Sequence, residues 1–326
     1  MRRRRSTCLI TSLVLACWTA PPAAGPSAAF AASADDTILA KQVDVGGGRV
    51  LYLTCSGPAR PGRPTFILIS GYHDSSDPWT QKDVLSLLPQ ATGPSVLPGL
   101  ARTDRVCAYD RPGTLRYIDG LPLTNRSTPV AQPRTVEELV AELKALLTAA
   151  QMPGPYVLVC HSLGGLIGLF FAQIFPQDVR GIVFVDAFSP TIPMKMGRLW
   201  PLYLSVLNPS PERQPIASLK QAMSETVEMD ISIEQVKRAP SLRSMPLAVL
   251  TKTEPFRISP GSLPPGLALS DIDSSYNSAQ GYLVDLAPTT PQVFATGSEH
   301  YIQLSQPDLV INAARLVIDR ATSESK

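Results

Sequence analysis

One serine in the middle of the chain occupies a position where its hydroxyl could act as a nucleophile. Residues 156–172 read YVLVCHSLGGLIGLFFA, a short β-branched and aromatic run followed by closely spaced glycines. Such a run is typical of a buried strand, and glycines allow a helix to begin close to it. Ser162 lies at the turn between the predicted strand and helix. A hydroxyl on such a turn projects above the sheet edge, and it becomes a nucleophile once a base removes its proton.

That base must be one of three histidines. His161 directly precedes Ser162 and is expected to point away from the serine hydroxyl. His73 follows a glycine turn, where it can line a pocket but is poorly placed to act as the base. His300 lies on a loop after the last predicted strand, QVFAT, from which an imidazole can reach back to the serine. We therefore predict Ser162 as the nucleophile and His300 as the general base.

A carboxylate must orient this imidazole and stabilise the imidazolium that forms. Asp186 ends the apolar run IVFVD, and Glu254 follows the next predicted strand in TKTEP. We favour Asp186, because a short side chain at a strand end is held more rigidly than a longer one on a proline-bounded loop. The alternative is that Asp186 caps the following helix and that Glu254 is the acid.

A regular helix is predicted before the serine segment. Residues 135–150 read TVEELVAELKALLTAA, in which leucines at helical spacing form one apolar stripe. Thr135 is predicted as the N-cap, and Glu138 completes a capping box. Strands and helices alternate along the chain, which favours an α/β class with a doubly wound, mostly parallel sheet.

Several of these segments resemble the α/β-hydrolase fold. The turn at Ser162 resembles the nucleophile elbow G-x-S-x-G of that family, with Cys160 in place of the first glycine. YDRPG is close to a YDRxG pattern of the family, and LYLTCSG, IVFVDA and HYIQLSQPDLV extend the resemblance over residues 48–320. The chain is identified on this basis as similar to secreted bacterial hydrolases of the alpha/beta hydrolase-1 type. The resemblance implies a small helical cap inserted after the sixth strand, the one that ends at Asp186.

The cap is expected at residues 189–245. The strand pattern disappears there, and helical clusters such as MGRLWPLYLSVL take its place. Apolar residues of that cluster, Trp200, Tyr203 and Leu204, could either line a substrate entrance or form the cap's own small core.

Two backbone N–H groups are candidates for an oxyanion hole. The N–H of Leu163 begins the helix after the serine, where it can face a developing oxyanion. In the family the second N–H comes from the turn after the third strand, and the resemblance assigns it to Tyr72, next to Gly71. Ser70 stands where the family usually has histidine. Within YDRPG, Asp110 and Arg111 are expected to tie their turn together by a charge-assisted hydrogen bond.

The sequence has five cysteines, of which Cys8 and Cys17 lie in the N-terminal leader described below. Cys55, Cys107 and Cys160 remain. Cys55 and Cys107 lie on the predicted second and fourth strands, which are neighbours in the strand order that the resemblance implies. We therefore predict a Cys55–Cys107 disulfide, the alternative being two buried thiols. Cys160 would be a buried free thiol under the serine.

The first 34 residues have the three parts of a secretory signal: arginines at 2–5, an apolar run at 8–18, and a tail ending in Ala32-Ser33-Ala34. We predict cleavage after Ala34, with Ala31 as an equally acceptable site, and a mature domain at residues 35–326. The protein would then be secreted or periplasmic, in a compartment that permits disulfides. A twin-arginine route and a lipoprotein anchored at Cys17 are open alternatives.

Charge and hydropathy exclude two classes of partner. Four of the 29 basic residues are leader arginines, which leaves 25 basic against 27 acidic residues in the mature chain. A slightly acidic chain lacks the compositional support for nucleic-acid binding. No later apolar run reaches about 18 residues, so no stable membrane span is expected. We expect a monomer that acts on a small molecule.

The resemblance implies acyl transfer to water through a serine ester intermediate, without a metal or organic cofactor. Small or medium carboxylic esters are the expected substrates. Amidase or aminopeptidase activity and thioesterase or lactonase activity are alternatives on the same triad. Acidic residues near the cap could bind a peptide's ammonium group, namely Glu225, Glu228 and Asp230.

A non-catalytic ligand-binding protein of the same fold is a further alternative. Three departures from the family pattern motivate it: Cys160 and Glu299 replace glycine, and Ser70 replaces histidine.

Overall fold

Over the described residues, the main sheet has eight strands and carries helices on both faces. The structure is a computed structural model, and it describes residues 39–82, 91–118, 121–124, 126–208 and 224–323. The described residues belong to one unit, Ser33–Lys326. The predicted signal segment, residues 1–34, lies outside the described residues.

The strands, in chain order, are β1 (Leu39–Gly46), β2 (Arg49–Ser56), β3 (Thr65–Ile69), β4 (Val106–Tyr109), β5 (Leu115–Ile118), β6 (Leu121–Thr124), β7 (Tyr156–His161), β8 (Val179–Val185), β9 (Leu247–Lys252) and β10 (Gln292–Ala295). The main sheet has the order β1-β2-β4-β3-β7-β8-β9-β10. Its pairs are parallel from β4 to β10, and antiparallel between β1, β2 and β4. The predicted mostly parallel sheet is confirmed. The β5–β6 hairpin was not predicted.

The helices are α1 (Asp77–Thr80), α2 (Val96–Leu100), α3 (Val136–Ala149), α4 (Leu163–Ile174), α5 (Ile192–Met196), α6 (Trp200–Leu207), α7 (Met229–Arg238), α8 (Leu269–Val284), α9 (Ile302–Ser305) and α10 (Pro307–Ser323). The predicted capping box of α3 is confirmed: Thr135 Oγ1 accepts from the Glu138 N–H, and Glu138 Oε2 accepts from the Thr135 N–H at 2.7 Å. Within the described ranges, no helix is both long and apolar enough to cross a membrane.

Two hydrophobic clusters cover the two faces of the sheet. Strand side chains alternate between them: Ile67 belongs to the cluster with α3, α4 and α8, whereas Phe66 and Leu68 belong to the cluster with α2 and α10. This alternation follows from the two-residue period of a strand. It explains why these strands read as continuous apolar runs, since both faces are buried.

The predicted disulfide joins β2 to β4. Cys55 and Cys107 are directly opposite each other in the antiparallel register and form a disulfide bond. Cys160 is a buried free thiol.

The segment between β8 and β9 forms the helices α5, α6 and α7 over its described residues. Trp200 and Tyr203 of α6 are buried, and Trp200 packs 6.3 Å from the ring of Phe188, which follows β8. These side chains therefore belong to the hydrophobic cluster with α3, α4 and α8, and they do not form a separate core of the cap. The cap limits, 189–245, stay a prediction.

Candidate active site

The predicted catalytic residues follow three strands of the main sheet at the same edge. Ser162 comes directly after β7 and Asp186 directly after β8, while His300 lies on the loop that follows β10. Because the carboxyl ends of parallel strands meet at one edge, the sheet topology brings these residues together.

Ser162 lies on a strained turn. Its backbone has φ 50° and ψ −122°, which is unusual for a residue other than glycine. The turn is tight because α4 begins very close to β3: a Cβ at Gly164 would overlap with the carbonyl oxygen of Ile69. The departure at Cys160 is accommodated on the same helix. Gly168 leaves room for the Cys160 sulfur, which a Cβ at 168 would overlap.

His300 is hydrogen-bonded to Asp186, with 2.6 Å between His300 Nδ1 and Asp186 Oδ2. Asp186 is fully buried, and its other oxygen accepts from the backbone N–H of Lys252 at 3.2 Å. Glu254 is exposed and accepts from the neighbouring Thr253 hydroxyl at 3.2 Å. Between the two candidate acids, the structure therefore brings Asp186 to the histidine. Asp186 does not cap the next helix, whose N-cap is Thr191.

Tyr276 of α8 contacts two of the predicted catalytic residues, Asp186 and His300. Its hydroxyl donates to the backbone oxygen of Asp186 at 3.0 Å, and its ring lies edge-on to the His300 ring, 5.6 Å away. Burial raises the pKa of Tyr276 well above its ordinary value, and the charge of Asp186 raises it further. Asp186 and His300 thus both contact the Tyr276 side chain. No local sequence pattern predicted a role for Tyr276 in the site.

Burial controls the protonation of the histidine. Loss of water and, to a lesser extent, the charge of Lys252 lower the pKa of His300 to about 3, and Asp273 opposes this shift. Burial raises the pKa of Asp186, and Lys252 opposes that rise. A neutral imidazole at neutral pH is the form that can accept a proton.

Lys252 is a buried ammonium beside this pair. Its Nζ donates to Asp273 and to the backbone oxygen of Glu254, and lies 4.4 Å from the centre of the Phe256 ring. Buried charges require such partners. Sequence analysis missed this residue, although a lysine at the end of the buried run LAVLT was a signal.

The two N–H groups predicted for the oxyanion hole lie on adjoining segments. The start of α4 packs against the end of β3, and Gly71 packs against His161, where a Cβ would lie 2.8 Å from the ring Nδ1. Within the described part of the chain, neither the Tyr72 nor the Leu163 N–H donates to an acceptor. The oxyanion-hole roles of Tyr72 and Leu163 stay predictions.

The other two histidines hold loops in place. The Nε2 of His161 lies 3.1 Å from the backbone oxygen of His300, to which it donates. His73 has φ 63°, and its Nε2 lies 3.1 Å from the Leu207 oxygen. That neither His161 nor His73 is the base stays a prediction.

Two of the departures from the family pattern have local roles. Ser70 accepts from the indole N–H of Trp79 at 2.9 Å. Glu299 accepts from the backbone N–H of Tyr301 at 3.1 Å, which holds the loop around His300.

The expected bond between Asp110 and Arg111 is wrong. Asp110 accepts from Ser76 and from Arg126, both at 2.8 Å. Arg111 forms a two-bond ion pair with Glu225, at 2.6 and 3.1 Å. Successive side chains at a strand end point in opposite directions, so the two side chains meet different partners.

Two of the three acidic residues considered for binding an ammonium group are already bonded to other side chains. Glu225 is buried against Arg111, and Asp230 accepts from the Trp200 indole at 2.7 Å. Glu228 is exposed. Among the described residues, no group of three or more His, Cys, Asp or Glu side chains is arranged to hold a metal ion.

The chain was compared with known proteins. A putative carbamate hydrolase, RutD, from Stutzerimonas stutzeri (strain A1501) is 30% identical over 137 residues, 42% of this chain and 43% of that protein. An uncharacterized protein of Schizosaccharomyces pombe is 32% identical over 153 residues, 43% of this chain and 26% of that protein. The chain thus spans less than half the length of these curated relatives.

The fold has a match among solved structures. A putative lipase (lip1) from Acinetobacter baumannii AYE has a TM-score of 0.54 and 18% identity, covering 88% of this chain and 93% of that chain. At that identity the likeness shows the fold alone. The model of the alpha/beta hydrolase family matches residues 66–313, well over half of the chain. The chain therefore belongs to the alpha/beta hydrolase family.

Proposed function

We propose that this protein is a secreted serine hydrolase that cleaves small or medium carboxylic esters. Ser162 is the nucleophile, His300 the general base and Asp186 the residue that orients the base. One observation carries the proposal: the 2.6 Å hydrogen bond between His300 Nδ1 and Asp186 Oδ2. The strained backbone of Ser162, at a turn after β7, supports its role as the nucleophile.

In the first half of the reaction, Ser162 Oγ attacks the ester carbonyl carbon. Since His300 Nδ1 is bonded to Asp186, Nε2 is the nitrogen that takes the serine proton. The carbonyl oxygen becomes an oxyanion, which the N–H groups of Leu163 and Tyr72 stabilise. The C–O bond to the alcohol then breaks, and His300 returns the proton to the leaving alcohol. A serine ester remains.

In the second half, water attacks the serine ester. His300 takes one proton from the water and later gives it to Ser162 Oγ, so the carboxylic acid leaves and the enzyme is restored. The buried Asp186 stabilises the imidazolium in both halves.

Secretion is part of the proposal. The N-terminal 34 residues read as a signal peptide, and the Cys55–Cys107 disulfide suits an oxidising compartment. N-terminal sequencing of the exported protein tests this part. A mature start at Asp35 or Ala32 is expected, and a retained leader contradicts it.

The activity is tested with a graded series of p-nitrophenyl esters, run beside Ser162→Ala and His300→Ala. We expect the wild-type protein to hydrolyse the shorter esters and both variants to lose at least about 1,000-fold in kcat, as expected when a triad member is removed. A fluorophosphonate probe should label the wild type and not Ser162→Ala. A wild type that hydrolyses no substrate and resists the probe contradicts catalysis and favours a ligand-binding protein.

The same series separates the alternative substrates. It includes a matched aryl carbamate, anilide, thioester and lactone, because a relative is named a putative carbamate hydrolase. The proposal expects the oxygen ester to have the highest kcat/KM. A higher value for any of the others replaces the ester assignment but keeps the triad.

A further inference from the structure

We propose that Arg111 and Glu225 are positioning residues that orient the Tyr72 N–H towards the oxyanion. This inference rests on the proposed function. It concerns the turn of residues 70–73, which follows β3.

Arg111 holds the two carbonyl groups that precede Tyr72. Its Nη1 donates to the Ser70 oxygen at 3.0 Å, and its Nη2 donates to the Gly71 oxygen at 2.5 Å. The Gly71 carbonyl and the Tyr72 N–H belong to the same planar peptide unit, in which they point in opposite directions. A guanidinium that fixes the carbonyl therefore fixes the direction of the N–H.

Glu225 holds the peptide unit on the other side of Tyr72. Its Oε2 accepts from the His73 N–H at 2.6 Å. His73 has φ 63°, a conformation that costs energy for any residue other than glycine and persists only where its surroundings hold it. The ion pair is thus hydrogen-bonded to both peptide units that flank Tyr72.

The pair is buried and held by several bonds. The side chains of Arg111 and Glu225 are each 1% exposed, and the guanidinium and the carboxylate are joined by two hydrogen bonds. A buried ion pair contributes little net stability compared with apolar side chains of similar volume, because both charges lose their hydration. The planar guanidinium, however, can bind a carboxylate and two carbonyl groups in one fixed arrangement, which apolar side chains cannot do.

Glu225 also connects this turn to the segment between β8 and β9. It lies 114 residues after Arg111, shortly before α7. The Tyr72 hydroxyl makes two further contacts with that segment: it accepts from the Val227 N–H at 2.7 Å and is hydrogen-bonded to Asn208. The segment therefore helps to shape one half of the oxyanion hole.

Three variants test the role of the pair. Glu225→Gln keeps the shape and removes the charge. Arg111→Lys keeps the charge and removes the planar donors. Arg111→Met with Glu225→Leu removes both charges and should fold even if a single variant does not, because no unpaired buried charge remains. The matched control is Glu142→Gln. Glu142 is a buried carboxylate of α3 that is bonded to Arg134 at 2.9 Å.

The readouts are kcat and KM for a p-nitrophenyl ester, and Ki for a trifluoromethyl ketone whose serine adduct carries an oxyanion. In all three variants we expect kcat to fall about 10- to 100-fold, the range for a misplaced oxyanion donor. KM should stay within about threefold, and Ki should rise by the factor by which kcat/KM falls. Glu142→Gln should lower the thermal midpoint and leave kcat unchanged.

The outcomes distinguish this inference from the proposed function. A wild type without Ser162-dependent activity refutes the proposed function, and the positioning role falls with it. An active wild type with normal kcat in the folded double variant overturns the positioning role alone. An equal loss of kcat in Glu142→Gln also overturns it, because the effect would then be general destabilisation.

Discussion

The hydrogen bond between His300 Nδ1 and Asp186 Oδ2 joins two strand ends that are not neighbours. Asp186 follows β8 and His300 follows β10, and β9 lies between these strands in the sheet. Lys252, the last residue of β9, donates its backbone N–H to the other oxygen of the same carboxylate. The strand between them therefore helps to orient the acid.

The acid can be identified by comparing two isosteric variants. Asp186→Asn should lower kcat for ester hydrolysis by about 1,000- to 10,000-fold, because an amide in this position can donate to Nδ1 and favours the wrong tautomer of His300. Glu254→Gln should stay within about twofold of wild type, since Glu254 is exposed and does not contact the histidine. Steady-state kinetics measure both. A larger loss in Glu254→Gln would reverse the assignment.

The charge of Lys252 should shift the acid limb of the pH profile, whose position depends mainly on burial. It lowers the pKa of both Asp186 and His300, whereas Asp273 raises both. Removing the ammonium in Lys252→Met thus raises both pKa values, so the pair takes up its proton at higher pH and kcat/KM begins to fall at higher pH. Because both partners shift in the same direction, this sign holds for the coupled pair as a whole.

The control for that experiment is Lys144→Met. Lys144 also forms an ion pair with an aspartate, Asp178, with 2.6 Å between Nζ and Oδ2, but it lies on α3 and its partner precedes β8. Its pH profile should match wild type. An unchanged acid limb in Lys252→Met, or an equal shift in Lys144→Met, would contradict the role of Lys252.

The sequence predicted the parts of the site that depend on local patterns. Glycines at short spacing mark the turn at Ser162, and a chain with three histidines leaves few positions for the base. The disulfide could be predicted because the family resemblance implies which strands are neighbours. The structure agrees with the pairing of Cys55 and Cys107.

Contacts that depend on distant segments could not be predicted in this way. Asp110 and Arg111 are adjacent in sequence, yet the partner of Arg111 lies 114 residues away in a segment without strand periodicity. Tyr276 contacts Asp186 only through the packing of α8 on the sheet. Such contacts are decided by tertiary packing, and the sequence carries no periodic signal for them.

The disulfide is expected to stabilise the protein without affecting catalysis. It closes a loop of 52 residues between two buried strands. Cys55→Ala with Cys107→Ala should lower the free energy of unfolding by about 2–4 kcal/mol. Denaturant unfolding measures this, and kcat at 25 °C should remain near wild type because neither residue contacts Ser162 or His300. A reductant should then no longer change the unfolding curve of the double variant. A stability equal to wild type would contradict the prediction.

Cys160 and Gly168 should be coupled through the space that they share. A Cβ at position 168 would overlap with the Cys160 sulfur, so Gly168→Ala should destabilise the protein by about 1–3 kcal/mol through overpacking. Cys160→Gly removes that sulfur, and the double variant should recover much of the loss. Unfolding measurements on the four proteins of this double-mutant cycle give the coupling energy. Additive effects would mean that α4 can move away from β7, and the close contact would then not explain why cysteine is tolerated two residues before Ser162.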